Sequence, residues 1–134
     1  MPSRARIVIG RDGRIALVNS NAETLLGIRG PDILGMRTEE LVAERHRAAH
    51  IAERDAYFAE PWSVRPDTGF FLTIVDRFAY ERKLFAVPEP IASEDGLWVS
   101  VALYPPERSR DFAVFTGRTS TSARPSLSAS QDMT

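Results

Sequence analysis

Apolar positions follow two rhythms along this chain. Short runs of period two lie near each end of the first 106 residues, and a stretch of period near 3.6 lies between them. Ile7-Val8-Ile9 and Ile15-Ala16-Leu17-Val18 form the first pair of runs, separated by Gly10-Arg11-Asp12-Gly13. Asp-Gly supplies the positive φ that a tight turn needs, so this spacing predicts a β-hairpin. Asn19, Ser20 and Asn21 follow, each able to cap a helix, and then Ala22-Glu23-Thr24-Leu25-Leu26 with a stop at Gly27. Pro31-Asp32-Ile33-Leu34 makes a second small unit that ends at Gly35, and Thr38 opens a third.

Residues 41–59 read as the longest helix. At 3.6 residues per turn, Leu41, Val42, Ala48, Ala49, Ala52, Ala56 and Ala59 share one stripe, flanked by Ile51 and Phe58. That stripe is expected to face the core. His46, His50, Glu53, Arg54 and Tyr57 fall opposite, toward solvent. Residues 60–69 are a loop punctuated by Pro61, Pro66 and Gly69. Phe70-Phe71-Leu72-Thr73-Ile74-Val75 is a strand by composition. Residues 78–87 read as another, with a bulge, because Phe78 and Tyr80 fall on one phase while Phe85 and Val87 fall on the other. Pro88 and Pro90 argue against a fully paired strand beyond that point. After a turn at 92–96, Leu97, Val99, Val101 and Leu103 alternate with Trp98, Ser100, Ala102 and Tyr104 in a last strand.

The order is strand-strand-helices-strand-strand-strand. It predicts an α+β fold, a five-stranded antiparallel sheet with short helices and one longer helix on one face. Pro105 and Pro106 close this domain, residues 1–106. Residues 107–134 are read as an extension, Ser/Thr-rich and without a periodic apolar set after 117, where disorder is expected.

Asp12, Gly13, Ile15, Asn19, Ala22, Glu23, Leu25, Leu26, Gly27, Ile33, Leu34 and Gly35, in this order and spacing, resemble the opening half of a PAS domain. The likeness extends to about Tyr104. It implies a cytoplasmic sensory and interaction module that binds a small ligand or a signalling protein and pairs as a homodimer; it does not imply an enzyme. Two segments depart from the pattern. Asp76-Arg77-Phe78-Ala79 stands where a basic-Asp-Gly hairpin is usual, and the last strand runs into Pro105-Pro106 where many such domains carry an Asp-Ile-Thr-type segment.

Composition narrows the chemistry. The chain has 134 residues, 43% of them hydrophobic, which suits one core. A formal charge of −1 gives no polyanion-binding surface at this level, so nucleic acid is not an expected partner. With no cysteine there is no disulfide, thiolate metal site or cysteine-linked chromophore. No apolar run is long enough to span a bilayer, so no membrane contact is expected. Lys83 is the lone lysine among many arginines, a coding bias of GC-rich bacterial genomes.

Candidate chemistry is sparse. Arg47-Ala48-Ala49-His50 resembles the position where haem-binding PAS oxygen sensors carry their axial histidine. A neutral imidazole can ligate haem iron, so a haem-dependent gas sensor using His50 is the alternative reading. The wheel opposes it, because Glu53, Arg54 and Tyr57 surround His50 on the polar side; the expectation is no cofactor. A non-covalent flavin is the other cofactor alternative. His46 and His50 stand at i, i+4, a metal-clamp spacing, but no third ligand accompanies them. No nucleophile elbow, phosphate loop or metal motif is present. A small α+β enzyme would have to use Asp76 or His50 as its base. A ligand pocket would be lined by Leu25, Leu26, Leu41, Phe70, Leu72, Ile74, Val99 and Val101, residues that equally suit a filled core. The opposite sheet phase carries Val8, Ala16, Val18, Phe71, Val75, Trp98, Ala102 and Tyr104. That is an apolar outer face and a candidate dimer contact. Residues 111–115 (Asp-Phe-Ala-Val-Phe) are a rival cover for it.

Overall fold

The computed structural model describes residues 4–115. Strand β1 (Ala5–Ile9) turns through Gly10 to Gly13 into β2 (Ile15–Val18), with Gly13 at φ +83° as Asp-Gly requires. The Asn19 side-chain carbonyl accepts the Ala22 N–H at 2.9 Å and the Arg6 N–H at 3.1 Å. It therefore caps helix α1 (Ser20–Leu26) and ties it to β1 at the same time. Helix α2 (Gly30–Ile33) and two single turns, Thr38–Glu40 and Glu44–His46, lead to the long helix α3 (Arg47–Ala59). A turn at Pro61–Ser63 precedes strands β3 (Thr68–Val75), β4 (Glu81–Ser93) and β5 (Gly96–Tyr104). The turn Pro106–Asp111 and the short strand β6 (Ala113–Val114) follow.

The sheet order is β2-β1-β5-β4-β3-β6. The first five strands are antiparallel to their neighbours and have the predicted layout; β6 is an added two-residue strand parallel to β3. The helices cover one face. Ile7, Ile9, Ile74, Leu84, Val99 and Val101 point from the sheet into a core completed by Ala22, Leu26, Ile33, Leu41 and Phe58 from the helical side. Each fully buried Leu or Ile there contributes about 1.5–3 kcal/mol of transfer free energy. The other edge of β3 is closed by the segment before α3. Ala43 N–H donates to Thr73 O at 3.0 Å and Val75 N–H to Leu41 O at 2.8 Å.

Five expectations are corrected. The long helix begins at Arg47, so Leu41 and Val42 are edge-covering backbone and not its first turn. Its faces are also largely reversed: Ala48, Ala49, Ala52, Ala56 and Ala59 are exposed, whereas His50, Arg54 and Tyr57 turn inward, and only Phe58 is buried as expected. Alanines offer little area to bury, and the arginine and histidine find partners on the Thr38–Glu40 turn. β4 runs through Pro88 and Pro90 to Ser93, paired with β5 throughout. β3 reaches only as far as Ala86, so beyond it β4 has an open edge on which a missing N–H costs nothing. The expected phase conflict at 78–87 vanishes because Phe78 and Tyr80 lie in the β3–β4 turn, outside the strand. Finally, the β1–β2 register shifts beside Ile9, so that Val18 joins the core and Leu17 takes its place on the outer face.

Candidate functional site

Of the eight residues expected to line a pocket, Leu26, Leu41, Ile74, Val99 and Val101 are buried against one another as core, and Leu25, Phe70 and Leu72 pack half-buried around them. An open groove lies elsewhere. A groove of about 530 Å³ opens where α3 ends against the β4–β5 hairpin, lined by Phe58, Pro61, Trp62, Ala92 and Leu97 among others. Glu60 leaves helical geometry at φ −144°, and Pro61 then starts a new turn that lifts Trp62 to the rim, 72% exposed. Phe58 and Leu97 form the floor, and the Arg11 guanidinium lies 5.7 Å from the Phe58 ring. An isolated tryptophan in a Pro-Trp-Ser loop was the available sequence signal for this groove.

The inward face of α3 carries a polar cluster. His50 Nε2 and Thr38 Oγ1 are 3.2 Å apart, and Arg54 Nη1 donates to Thr38 Oγ1 at 3.4 Å. The same nitrogen pairs with the Glu39 carboxylate, while the buried Arg54 Nε lies 3.7 Å from Asp55 Oδ1 and makes no hydrogen bond among the described residues. Arg47 Nε reaches back to Val42 O at 3.0 Å. Burial, reinforced by the Arg54 charge and opposed by Glu39, lowers the His50 pKa below its ordinary 6.5, so the ring is neutral at pH 7. Burial would raise the Glu39 carboxyl, but its backbone hydrogen bond and Arg54 outweigh that and lower it. The wheel argument that placed His50 toward solvent is thus overturned. Even so, the residues do not fit haem ligation: Nε2 is engaged by Thr38, and a guanidinium stands beside it where an apolar distal wall would be needed.

Asp76 is a turn organiser. One carboxylate oxygen accepts Phe78 N–H at 2.9 Å and Tyr80 N–H at 3.0 Å, and the other accepts Arg82 Nε at 3.0 Å. Burial would raise its pKa, yet these bonds and the Arg82 charge lower it, the opposite of what a general base at neutral pH requires. Ala79 within this turn sits at φ +68°, in the left-handed region that favours glycine. His46 sits exposed on the turn before α3, and no group of three metal-ligating side chains occurs among the described residues.

The outer sheet face is divided in two. At one corner Phe85, Val87, Ala102 and Tyr104 form a second buried cluster under Phe112, whose ring lies 4.9 Å from Tyr104 and 5.8 Å from Phe85. The rival cover is therefore in place there, and Ala102 and Tyr104 are not open contact residues. Phe71 and Val75 lie beside this corner, toward the β3 edge. The other half carries Val8, Leu17, Ile91 and Trp98, with Leu17 50% and Ile91 42% exposed. Between the halves, Arg6 bonds the buried Ser100 hydroxyl and lies 4.0 Å from Glu89. No helix among the described residues is long and apolar enough to cross a membrane.

Comparison with known proteins places this architecture. No family model matches the chain, and no curated protein sequence matches it. Solved structures do. A PAS domain of a Desulfitobacterium hafniense protein superposes with a TM-score of 0.65 at 13% identity, covering 76% of this chain and 92% of that one. The PAS domain of the Cronobacter turicensis RpfR quorum-sensing receptor, solved in complex with C12:0, gives 0.63 at 11% identity over 79% and 97% of the two chains. A PAS domain of an HTR-like protein from Haloarcula marismortui gives 0.57 at 15% identity over 75% and 83%. The chain has the PAS fold.

Proposed function

We propose that this PAS-fold chain is a sensory and interaction module that binds a small apolar ligand in the Trp62 groove and signals through contact with a second copy of itself. The groove carries the reading. Its volume of about 530 Å³ falls within the roughly 300–1,000 Å³ typical of ligand pockets, and its floor is apolar. The RpfR domain, solved with C12:0, is a precedent for an acyl ligand on this fold. The second copy is supported by the open half of the outer face. There Val8, Leu17, Ile91 and Trp98 make an apolar patch beside the oppositely charged Arg6 and Glu89, and two charges side by side are self-complementary about a two-fold axis.

The chain has two tryptophans, so a Trp98→Phe background isolates Trp62. Titration with dodecanoate should then give a saturable blue shift of Trp62 fluorescence, lost when Ala92→Arg fills the groove. A shift that does not saturate, or that survives Ala92→Arg, refutes the ligand site. In light scattering, Trp98→Arg should convert a dimer to a monomer; a wild-type monomer refutes the pairing.

A further inference from the structure

A second cleft lies at the opposite end of the sheet, where the chain enters β1 and leaves β5. It has a volume of about 290 Å³. Ala5, Leu25 and Leu103 line it with apolar surface, and Arg4, Asn21 and Arg108 bring polar groups to it. Three separate segments converge there: the lead-in to β1, helix α1 and the turn Pro106–Asp111.

The two arginines are held by one ring. The Arg4 guanidinium carbon lies 5.9 Å and the Arg108 guanidinium carbon 5.2 Å from the centroid of Tyr104. Contact with the ring restrains both side chains before any ligand arrives, which reduces the ordering cost of binding. Arg108 Nε donates to Asp111 at 2.6 Å, which leaves its terminal nitrogens without a partner among the described residues. Arg4 has no carboxylate partner among them, and its side chain makes no hydrogen bond there. Two positive charges thus share one ring and one carboxylate. Both line the same cleft, so an anion seated there can accept charge-assisted N–H bonds from them.

We infer that this cleft binds a small organic carboxylate, its head on Arg4 and Arg108 and its short alkyl or aryl body on Leu25 and Leu103. The apolar lining selects against inorganic phosphate, which would satisfy the guanidiniums and leave that surface wet. It also selects against an uncharged alcohol, which would cover the surface and leave the charges unpaired. Because Arg108 belongs to the segment that carries Phe112 onto the sheet, an occupied cleft would clamp that segment to β1. This site is separate from the Trp62 groove, and its test does not depend on that reading.

The test follows backbone amide resonances of the full-length chain during titration with hexanoate, hexan-1-ol and inorganic phosphate. Hexanoate should shift Leu25, Tyr104 and Arg108 saturably, and the Arg4→Gln/Arg108→Gln double variant should bind at least tenfold more weakly while keeping the wild-type spectrum elsewhere. The single Leu25→Asn variant should weaken hexanoate and leave any weak phosphate response unchanged. Hexan-1-ol binding as tightly as hexanoate overturns the inference, since the charges would then be idle. Phosphate binding as tightly overturns it too, as does hexanoate binding that the double variant leaves unaltered or shifts confined to Phe58, Trp62 and Leu97.

Discussion

Gly13→Ala tests how the hairpin is locked to the long helix. Gly13 is buried at φ +83°, and an ideal Cβ there would lie 2.5 Å from the Arg54 guanidinium carbon and 3.0 Å from its Nε. An alanine held in the left-handed region costs roughly 1–2 kcal/mol. The guanidinium cannot simply swing away, since its side chain is 9% exposed and is held by Glu39 and Thr38. Losing one charge-assisted bond there costs about 1.5–3 kcal/mol more. The sum is about 2.5–5 kcal/mol. At roughly 4 °C per kcal/mol this lowers the Tm by on the order of 15 °C. Gly35→Ala is the internal control: φ is +86° but nothing lies within 4 Å of the added Cβ, so only the strain remains. Urea unfolding of both variants, with equal m-values, isolates the displacement of Arg54 as their difference. An Arg54→Ala background should then shrink the Gly13→Ala cost to that of Gly35→Ala, a coupling of about 1.5–3 kcal/mol in a double-mutant cycle. Equal costs for the two glycine variants in the wild-type background, or strict additivity with Arg54→Ala, would refute the reasoning.

Three further outcomes are expected. Because the folded His50 pKa is lowered from 6.5, the unfolded chain binds the extra proton first, so stability present above pH 6.5 is lost as pH falls from there toward the folded value. His50→Gln should flatten the urea midpoint between pH 7.5 and 5.5, and an unchanged slope would count against the buried neutral ring. Ending the chain at Pro106 removes Phe112 and β6, uncovering Phe85 and Tyr104; light scattering should show increased association, and an unchanged mass would mean that the cover is dispensable. Addition of hemin should give no sharp Soret band, and a band lost in His50→Ala would restore the haem reading.

What the sequence determined by itself is what local chemistry decides. The Asp-Gly turn, the Asn19 cap and the strict alternation of β3 and β5 were legible because each depends on residues a few positions apart. The same alternation separated core residues such as Ile74, Val99 and Val101 from outward ones such as Phe71 and Trp98. The tertiary structure decided the rest, in each case through a partner distant in sequence. Five alanines draw the cleaner stripe on α3, yet Thr38 and Glu39, 12 to 16 residues earlier, turn the opposite side inward. β4 passes two prolines because β3 happens to end at their level. One extra residue in β2 exchanges Val18 for Leu17 on the outer face. The Trp62 groove exists only because the end of α3 meets a hairpin some thirty residues further along the chain. Periodicity records which residues can be buried, and long-range contacts select which of them are.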